Sequence, residues 1–282
     1  MSTQTVRRTR LPSGEPIPVL GMGSWGLAER PWRRDEEIAA LRLGIDLGMT
    51  VIDTAEMYAD GGAEELIGEA LEGRRDEVFL VSKVLPHHAD LSGTISACDE
   101  SLRRLCTEHL DLYLLHWRGR IPLQETLEAF LRLMDAGKIR YWGVSNFDIA
   151  DMMELVSLPG GSDVVTDQIL YNLTRRAPEW DLMPWCHERR IPVMAYSPIE
   201  QGRLLTNLTL RDIAVKHDVT PAQVALAWVL RQEGVIAIPR AGTREHVWED
   251  HAALALQLTE EDFRALDTAF PPPLGPRPLE ML

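Results

Sequence analysis

Eight short apolar runs, each followed by a helical pattern, constrain the fold more than any other feature of the sequence. Most of the runs are almost continuously apolar, which is typical of strands in a parallel sheet that is covered on both faces. The segments between them carry apolar residues at helical spacing, as LEAFLRLM does at 127–134. In a chain of 282 residues, eight strand–helix units predict an α/β fold, a closed (β/α)8 TIM barrel. The predicted strands are residues 18–23, 50–53, 78–83, 110–116, 141–146, 164–169, 192–197 and 234–239.

Two segments lie outside this repeat. Residues 7–20, RRTRLPSGEPIPVL, contain a Pro-Ser-Gly turn between short extended pieces, which predicts an N-terminal β-hairpin ahead of the barrel. Residues 270–282, FPPPLGPRPLEML, are too rich in proline for a helix or a strand and predict a Pro-rich C-terminal tail. No linker rich in serine and glycine divides the chain, so we expect a single barrel domain over residues 1–282.

Charge and composition exclude several classes of function. The net charge of -14 argues against broad nucleic-acid binding, which needs a basic surface. The three cysteines form no CxxC pair and no zinc-type spacing, and so sparse a set predicts a reducing compartment. The N-terminus lacks the apolar segment of a signal peptide, and apolar runs such as VALAWVL at 224–230 are too short to cross a bilayer. We therefore expect a cytoplasmic protein without nucleic-acid or membrane partners.

The glycine-rich segment GMGSWG at 21–26 matches the G-x-G-x-x-G pattern of Rossmann dinucleotide sites. In that alternative, Asp53 at the end of the next strand would bind the ribose. The context does not fit, because the third glycine of the pattern should open a helix. Here Pro31 and two arginines intervene, and the helix is predicted to begin near Asp35. A close-packed turn leaving the first barrel strand is the favoured interpretation.

Polar side chains stand where consecutive predicted strands end. Asp53 ends TVID and Tyr58 follows it in the loop, while Lys83 ends VFLVSK and His116 ends LDLYLLH. In a barrel, chemistry gathers at the carboxyl ends of the strands. A lysine after a buried run needs a carboxylate partner, and Asp53 is on the neighbouring strand. Because an ammonium beside a phenol favours the phenolate, Lys83 is expected to lower the pKa of Tyr58. Tyr58 then serves as general acid, with His116 holding the substrate oxygen.

Each of these residues alone has an ordinary structural explanation. An aspartate after a strand often caps a helix, and a histidine at a strand end often only packs. A metal site is disfavoured because His87 and His88 are adjacent and His116 has no second histidine at ligand spacing. A glycosidase would need two carboxylates that flank a cleft, but strands here end in His116 and in Tyr196. The occurrence of all four at consecutive ends favours catalysis.

Recognisable motifs span almost the whole chain: GMGSWGL, VIDTAEMY, VSKVLP, DLYLLHW, GKIRYWGVSNF, DQILYNL, VMAYSPIEQGRLL, TPAQVALAWVL and VIAIPRAGT. Together they resemble the motifs of the aldo-keto reductase family. The segments HWRG and YSPIEQGRLL are most similar to those of bacterial members that reduce methylglyoxal and other small aldehydes.

The resemblance implies a role for each matching position. The family's catalytic tetrad falls on Asp53, Tyr58, Lys83 and His116, and Trp25 and Trp117 join Tyr58 and His116 as the substrate pocket. The family binds its nicotinamide cofactor in extended form across the barrel mouth, without a Rossmann fold. The implied cofactor-binding residues are Gly23, Ser24 and Asp53 near the nicotinamide; Ser145, Asn146 and Gln168 at the carboxamide; Tyr196 stacked on the ring; Ser197, Pro198, Ile199, Gln201, Gly202 and Leu204 along the pyrophosphate; and Ile238, Arg240, Ala241, Gly242, Thr243, His246, Glu249 and Asp250 at the adenosine end.

Three departures from the family pattern concern the adenosine end. The usual Lys-Ser after the last strand is Arg240-Ala241, the later arginine that grips the 2′-phosphate is His246, and the following Glu-Asn is Glu249-Asp250. Arg240, Arg244 and His246 still predict a basic cluster on an acidic protein. We expect NADP(H) to be preferred over NAD(H), with Asp250 repelling the phosphate and histidine only partly charged near neutral pH.

The expected function is reduction of a small-molecule carbonyl by hydride transfer, with Tyr58 as proton donor, in a monomer or weak oligomer. The alternative is a sensor or interaction module that binds the cofactor without significant turnover. The complete tetrad weighs against that alternative.

Overall fold

The predicted barrel is present in the computed structural model, which describes residues 5–240 and 242–282. Eight strands, β3 to β10, form one parallel sheet in which each strand pairs with its neighbours in chain order. Parallel bridges Leu20–Ala237 and Gly23–Arg240 join the first edge of the sheet to the last, which closes the barrel. The strands are β1 Arg8–Arg10, β2 Pro16–Pro18, β3 Met22–Gly23, β4 Val51–Asp53, β5 Phe79–Val84, β6 Leu110–Leu115, β7 Ile139–Ser145, β8 Asp167–Leu170, β9 Val193–Tyr196 and β10 Val235–Ile238.

The helices follow the strands and carry the capping signals visible in the sequence. Thr220 and Gln223 form a reciprocal capping box at the start of α8, and Thr259 and Asp262 do the same for α10. In each box the threonine hydroxyl accepts a backbone N–H that has no partner inside the helix. The helices are α1 Arg34–Asp46, α2 Gly62–Ala70, α3 Leu91–Arg104, α4 Leu123–Asp135, α5 Ile149–Ser157, α6 Leu182–Glu188, α7 Leu208–Lys216, α8 Pro221–Leu230, α9 Arg244–Ala252 and α10 Glu260–Ala269.

Successive side chains point to opposite faces of each strand, and this alternation divides the apolar core into two layers. In β5, Phe79 and Val81 belong to a cluster inside the barrel, whereas Leu80 and Val84 belong to the layer between the strands and the helices. Because side chains alternate with a period of two, Lys83 shares the inward face with Phe79 and Val81. The polar residues at the strand ends therefore form the uppermost layer of the barrel interior.

The predicted N-terminal hairpin closes the opposite end of the barrel. Strands β1 and β2 pair antiparallel, with Thr9 opposite Ile17. Ile17 and Leu11 are buried in the same apolar cluster as the inward residues of the barrel strands. The predicted strand 18–23 is thus divided between β2, which ends at Pro18, and β3. The carboxyl ends of the barrel strands remain as the open mouth.

The proline-rich segment 270–282 contains no helix or strand and runs back to the mouth. Its Leu279 packs against the core, and Glu280 pairs with Arg175. The backbone of Leu282 comes close enough to the Tyr196 hydroxyl to oppose the rise that burial causes in the pKa of Tyr196. The tail therefore ends beside the residue expected to stack on the nicotinamide.

Candidate active site

Lys83 lies at the centre of the uppermost interior layer. Its ammonium donates to Asp53 Oδ2 at 2.8 Å, to the Thr54 carbonyl at 2.7 Å and to the Tyr58 hydroxyl at 3.1 Å. An ammonium has three donors, so all of them are used. The Lys83 side chain is fully buried and that of Asp53 is nearly so. The position of the Tyr58 hydroxyl is thus fixed by a buried ion pair.

The local backbone explains why Tyr58 reaches Lys83. Strand β4 ends at Asp53, and the chain then turns into a short 3-10 helix, Tyr58–Gly61, before α2. Within that turn Ala59 and Asp60 adopt left-handed φ values of 51° and 52°. Left-handed non-glycine residues are strained and concentrate at functional sites. The turn places Tyr58 over the barrel interior rather than on the outer helical layer.

Burial reverses one sequence-based prediction about Tyr58. We expected the neighbouring ammonium to lower the pKa of the phenol. Instead, burial and the charge of Asp53 raise the pKa of Tyr58 well above its ordinary value in the free protein. Burial also lowers the pKa of Lys83, although Asp53 opposes that change. The expected sign was wrong because the sequence reveals the ammonium but not the removal of water around the phenol.

His116 completes the tetrad of Asp53, Tyr58, Lys83 and His116. Its ring centroid lies 5.8 Å from that of Tyr58. Burial and the charge of Lys83 lower the pKa of His116 to about 2, so the imidazole is neutral at physiological pH. Its Nδ1 atom is buried and has no hydrogen-bond partner among the residues that the structure describes. The imidazole therefore has unused hydrogen-bonding capacity at the mouth.

Two tryptophans continue the aromatic surface on either side of the tetrad. The Trp25 ring meets the Tyr58 ring edge-on at 5.1 Å, and the Trp117 ring lies 4.9 Å from that of His116. Trp25 is 52% exposed, which is unusual for so large an apolar side chain. The structure thus brings all four expected pocket residues into one aromatic wall.

Gln168 bonds directly to the tetrad, a contact that the sequence does not reveal. Its side-chain amide donates to Asp53 Oδ1 at 2.7 Å across the barrel interior. Asp53 consequently has one oxygen on Lys83 and the other on Gln168. The only sequence signal is that position 168 faces inward near a strand end.

The other expected carboxamide ligands form a connected group next to Gln168. The Asn146 amide donates to Ser145 Oγ at 3.0 Å and to the His116 carbonyl at 3.1 Å. The Tyr196 hydroxyl donates to Asn146 Oδ1 at 2.8 Å. Gly23 and Ser24 are also close, since the Ser24 amide donates to the Asp53 carbonyl at 3.0 Å. These hydrogen bonds hold the half-buried Tyr196 ring at the mouth.

The loop after β9 has an unusual backbone. Ser197, Glu200 and Gln201 have φ values of 47°, 49° and 54°, and Gly202 has 85°. These residues lead through the 3-10 segment Glu200–Thr206, in which Leu204 is buried. Pro198 is buried and Ile199 half-buried in the preceding turn. The loop expected along the pyrophosphate is therefore held in a conformation that few residues adopt without support.

Glu200 provides that support, and sequence reasoning missed it. Its carboxylate accepts hydrogen bonds from Arg175 at 2.9 Å, Arg203 at 2.9 Å and Asn172 at 2.8 Å. Although burial raises the pKa of Glu200, the bonds from Arg175 and Asn172 hold it below its ordinary value. The available signal was the spacing of Glu200 and Arg203, three residues apart beside a Gln-Gly turn.

The residues expected at the adenosine end of the cofactor lie at what we call the seam, the contact of residues 26–36 with Arg240 and residues 242–246. A Cβ atom on Gly23 would lie 2.9 Å from the Ile238 carbonyl, so only glycine allows the strands to meet so closely here. Arg240 reaches across and donates to the Gly26 carbonyl at 2.8 Å. Thr243 caps α9 by accepting the His246 amide. Ala241 lies outside the described residues.

The expected basic cluster is only partly present at the seam. Arg244 pairs with Glu36 at 3.1 Å, and His246 is exposed on the first turn of α9. Glu249 accepts a hydrogen bond from Thr220 on α8. Burial raises the pKa of Asp250 well above its ordinary value, which favours the neutral acid. The predicted repulsion of a phosphate by Asp250 is therefore not supported, because the carboxyl lies inside the protein.

Across residues 5–240 and 242–282, no group of three His, Cys, Asp or Glu side chains is arranged to hold a metal ion. In the same part of the chain, no helix combines the length and apolarity needed to cross a bilayer.

Comparison with known proteins gives a consistent answer over nearly the whole chain. The model of the aldo/keto reductase family matches residues 19–270. The chain is 52% identical to methylglyoxal reductase YeaE of Escherichia coli over 94% of its own length and 95% of the relative's. It is 32% identical to glyoxal reductase of Bacillus subtilis over the full length of both chains.

A solved structure shows the same agreement. An aldo/keto reductase of Klebsiella pneumoniae, crystallised with NADP and acetate, is 49% identical, has a TM-score of 0.96 and is matched over 99% of this chain and 100% of its own. The barrel, the placement of the tetrad and these similarities lead to one conclusion. The chain is an oxidoreductase that belongs to the aldo/keto reductase family.

Proposed function

We propose that the protein reduces small aldehydes and ketones, methylglyoxal among them, with NADPH as hydride donor. The observation that supports this most directly is the Lys83–Tyr58 hydrogen bond of 3.1 Å beside a neutral His116. This arrangement offers a phenolic proton next to a fixed positive charge. The E. coli and B. subtilis relatives are named for the reduction of methylglyoxal and glyoxal, which are small dicarbonyl compounds.

The residues at the mouth fit a nicotinamide dinucleotide. Two buried polar atoms there, Ser24 Oγ and His116 Nδ1, lack partners in the described part of the chain, so they can accept a polar ligand. The half-exposed ring of Tyr196 offers an apolar face for stacking. Gln168 and Asn146 carry side-chain amides, whose hydrogen-bond donors and acceptors are complementary to those of a carboxamide. The structure of the Klebsiella relative, which was solved with NADP, supports this assignment.

Tyr58 acts as the proton donor in the proposed reaction. The cofactor, when bound, supplies a hydride to the carbonyl carbon, and the carbonyl oxygen then becomes basic. The raised pKa of Tyr58 keeps the phenol protonated at neutral pH, so that the proton is available. As the proton leaves, the growing negative charge on the phenol oxygen is stabilised by the Lys83 ammonium. Asp53 and Gln168 keep that ammonium in place.

His116 and the tryptophans position the substrate. A neutral imidazole can donate a hydrogen bond to the carbonyl oxygen without competing with Tyr58 as an acid. Trp25 packs against Tyr58 and Trp117 against His116, so the two rings offer the substrate an apolar surface on two sides of the tetrad.

Several further properties belong to this proposal. We propose that residues 1–282 form a single barrel domain and that the protein is cytoplasmic. We also propose that it is a monomer or a weak oligomer, with a small carbonyl compound as its partner. NADP(H) is the proposed cofactor, with NAD(H) less favoured. Size-exclusion chromatography with light scattering tests the oligomeric state.

A panel of aldehydes and ketones, assayed with NADPH and with NADH, tests the function. We expect NADPH oxidation with methylglyoxal and with other small aldehydes. A protein that binds NADPH but turns over no member of the panel would instead be a cofactor-binding sensor or interaction module. A protein that binds neither cofactor would contradict both functions.

A further inference from the structure

Two guanidinium groups from different loops flank Gly242 at the seam. A Cβ atom built on Gly242 would lie 3.2 Å from Arg240 Nε and 3.5 Å from Arg240 Cζ. On the other side, Arg33 Nη2 donates to the Gly242 carbonyl oxygen at 3.1 Å. Arg240 follows β10, whereas Arg33 ends the 3-10 turn Pro31–Arg33 ahead of α1. The fold thus brings two positive charges from opposite sides of the seam against one residue.

Neither of these charges is neutralised by a direct contact. Arg240 bonds to the Gly26 carbonyl and Arg33 to the Gly242 carbonyl, both of which are uncharged acceptors. Within residues 5–240 and 242–282, neither guanidinium forms an ion pair with a carboxylate. Arg244 differs, because Glu36 accepts both its guanidinium and its backbone amide.

Two adjacent and unpaired cations are out of character for a protein of net charge -14. Two like charges held against one residue repel each other. The pKa of Glu36 is lowered mainly by its hydrogen bonds from Arg244, and the charge of Arg33 makes a smaller contribution. Arg33 and Arg240 can therefore bind an anion from outside the protein. Each guanidinium has five N–H donors and uses only part of them here.

We infer that Arg33 is a cofactor-specificity residue that binds the adenosine 2′-phosphate of NADPH together with Arg240. The inference rests on the proposed function, which places the adenosine end of the cofactor at the seam. Arg33 belongs to the loop after β3, outside the segment 238–250 that the sequence pointed to. It supplies a permanent cation on a protein in which position 246 is a histidine. A planar guanidinium suits a phosphate because two parallel hydrogen bonds can form.

The variant Arg33→Gln tests this inference by removing the charge and keeping a donor for the Gly242 carbonyl. Arg34→Gln is the matched control, because it changes the net charge equally but removes an arginine that pairs with Glu69 at 2.7 Å. Dissociation constants for NADPH and NADH are measured by quenching of tryptophan fluorescence, without any turnover. We expect Arg33→Gln to weaken NADPH binding about tenfold, which corresponds to about 1.4 kcal/mol. NADH binding should change less than about twofold, as should both constants for Arg34→Gln.

The outcomes separate this inference from the proposed function. Equal weakening of NADPH and NADH by Arg33→Gln would mean that Arg33 only ties the two loops together, and would overturn the inference. Unchanged NADPH binding would also overturn it, because the charge would then face solvent. Either result leaves the proposed reductase activity intact. Wild-type protein that binds neither cofactor would overturn the proposed function and this inference with it.

Discussion

The tetrad and the seam lie at the same mouth but are stabilised in opposite ways. In the tetrad, Lys83 is fully buried and each of its donors has an acceptor within the protein. At the seam, Arg240 and Arg33 are bonded to backbone carbonyls and their charges are unpaired. The first arrangement is preorganised and complete before a ligand arrives. The second leaves two guanidinium groups without an ion pair in the described part of the chain. We propose that the tetrad serves the chemical step and the seam the selection of the cofactor.

Breaking the buried ion pair should have the largest effect. Lys83→Met leaves the Asp53 carboxylate buried beside Gln168 without its cation. Loss of one partner of a buried pair costs about 3–5 kcal/mol of stability. Urea denaturation measures this loss. The double variant Asp53→Asn/Lys83→Met should regain most of the stability while remaining inactive. If Lys83→Met were as stable as wild type, the pair would not be the buried, charged one described here.

The second-largest effect should be a loss of folding stability as the pH falls. The folded protein holds the pKa of His116 at about 2, whereas an unfolded histidine titrates near pH ~6.5. Below pH ~6.5 the unfolded chain therefore binds the extra proton, and stability falls as pH falls, by about 1.4 kcal/mol per pH unit. Relative to His116→Gln, wild type should lose about 2 kcal/mol between pH ~6.5 and pH ~5. If the free energies of unfolding of wild type and His116→Gln changed with pH in the same way, His116 would not be held neutral in the folded protein.

Removal of a positive charge at the seam should weaken the binding of NADPH without changing the chemical step. Arg240→Gln is expected to weaken NADPH binding about 10–100-fold, since a charge-assisted hydrogen bond contributes about 1.5–3 kcal/mol. NADH binding and the rate at saturating cofactor should stay near wild type. Arg244→Gln is the control within the seam, because Arg244 is already paired with Glu36. A larger loss of NADPH affinity for Arg244→Gln than for Arg240→Gln would reverse the assignment.

The smallest effect should come from His246. This side chain is exposed, so a charge on it contributes only about 0.2–1 kcal/mol. The variant His246→Asn should therefore lower the preference for NADPH over NADH only a few-fold, as measured by the dissociation constants of the two cofactors. An unchanged ratio of the two constants in the variant would remove His246 from the cofactor site.

The same contrast explains how much the sequence could predict. Asp53, Lys83 and His116 were found because each ends an apolar run, and the period of two along a strand sets the face on which it lies. The partners of Arg244 could not be found this way, since Glu36 is 208 residues away in the chain. Burial of Asp250 depends on how α9 packs against its neighbours. The sign of the Tyr58 pKa shift depends on the exclusion of water, which no spacing of residues records.

The most direct test of the account compares Tyr58→Phe with Arg240→Gln in a single-turnover reaction. Saturating NADPH is mixed with methylglyoxal, and the rate of NADPH oxidation is followed. Phenylalanine keeps the ring that contacts Trp25 and His116 but removes the proton. We predict a rate for Tyr58→Phe that is about 10²–10⁴ lower than wild type, at unchanged NADPH affinity. Arg240→Gln should react at nearly the wild-type rate once saturated. A Tyr58→Phe protein with near wild-type turnover would contradict the assignment of Tyr58 as proton donor.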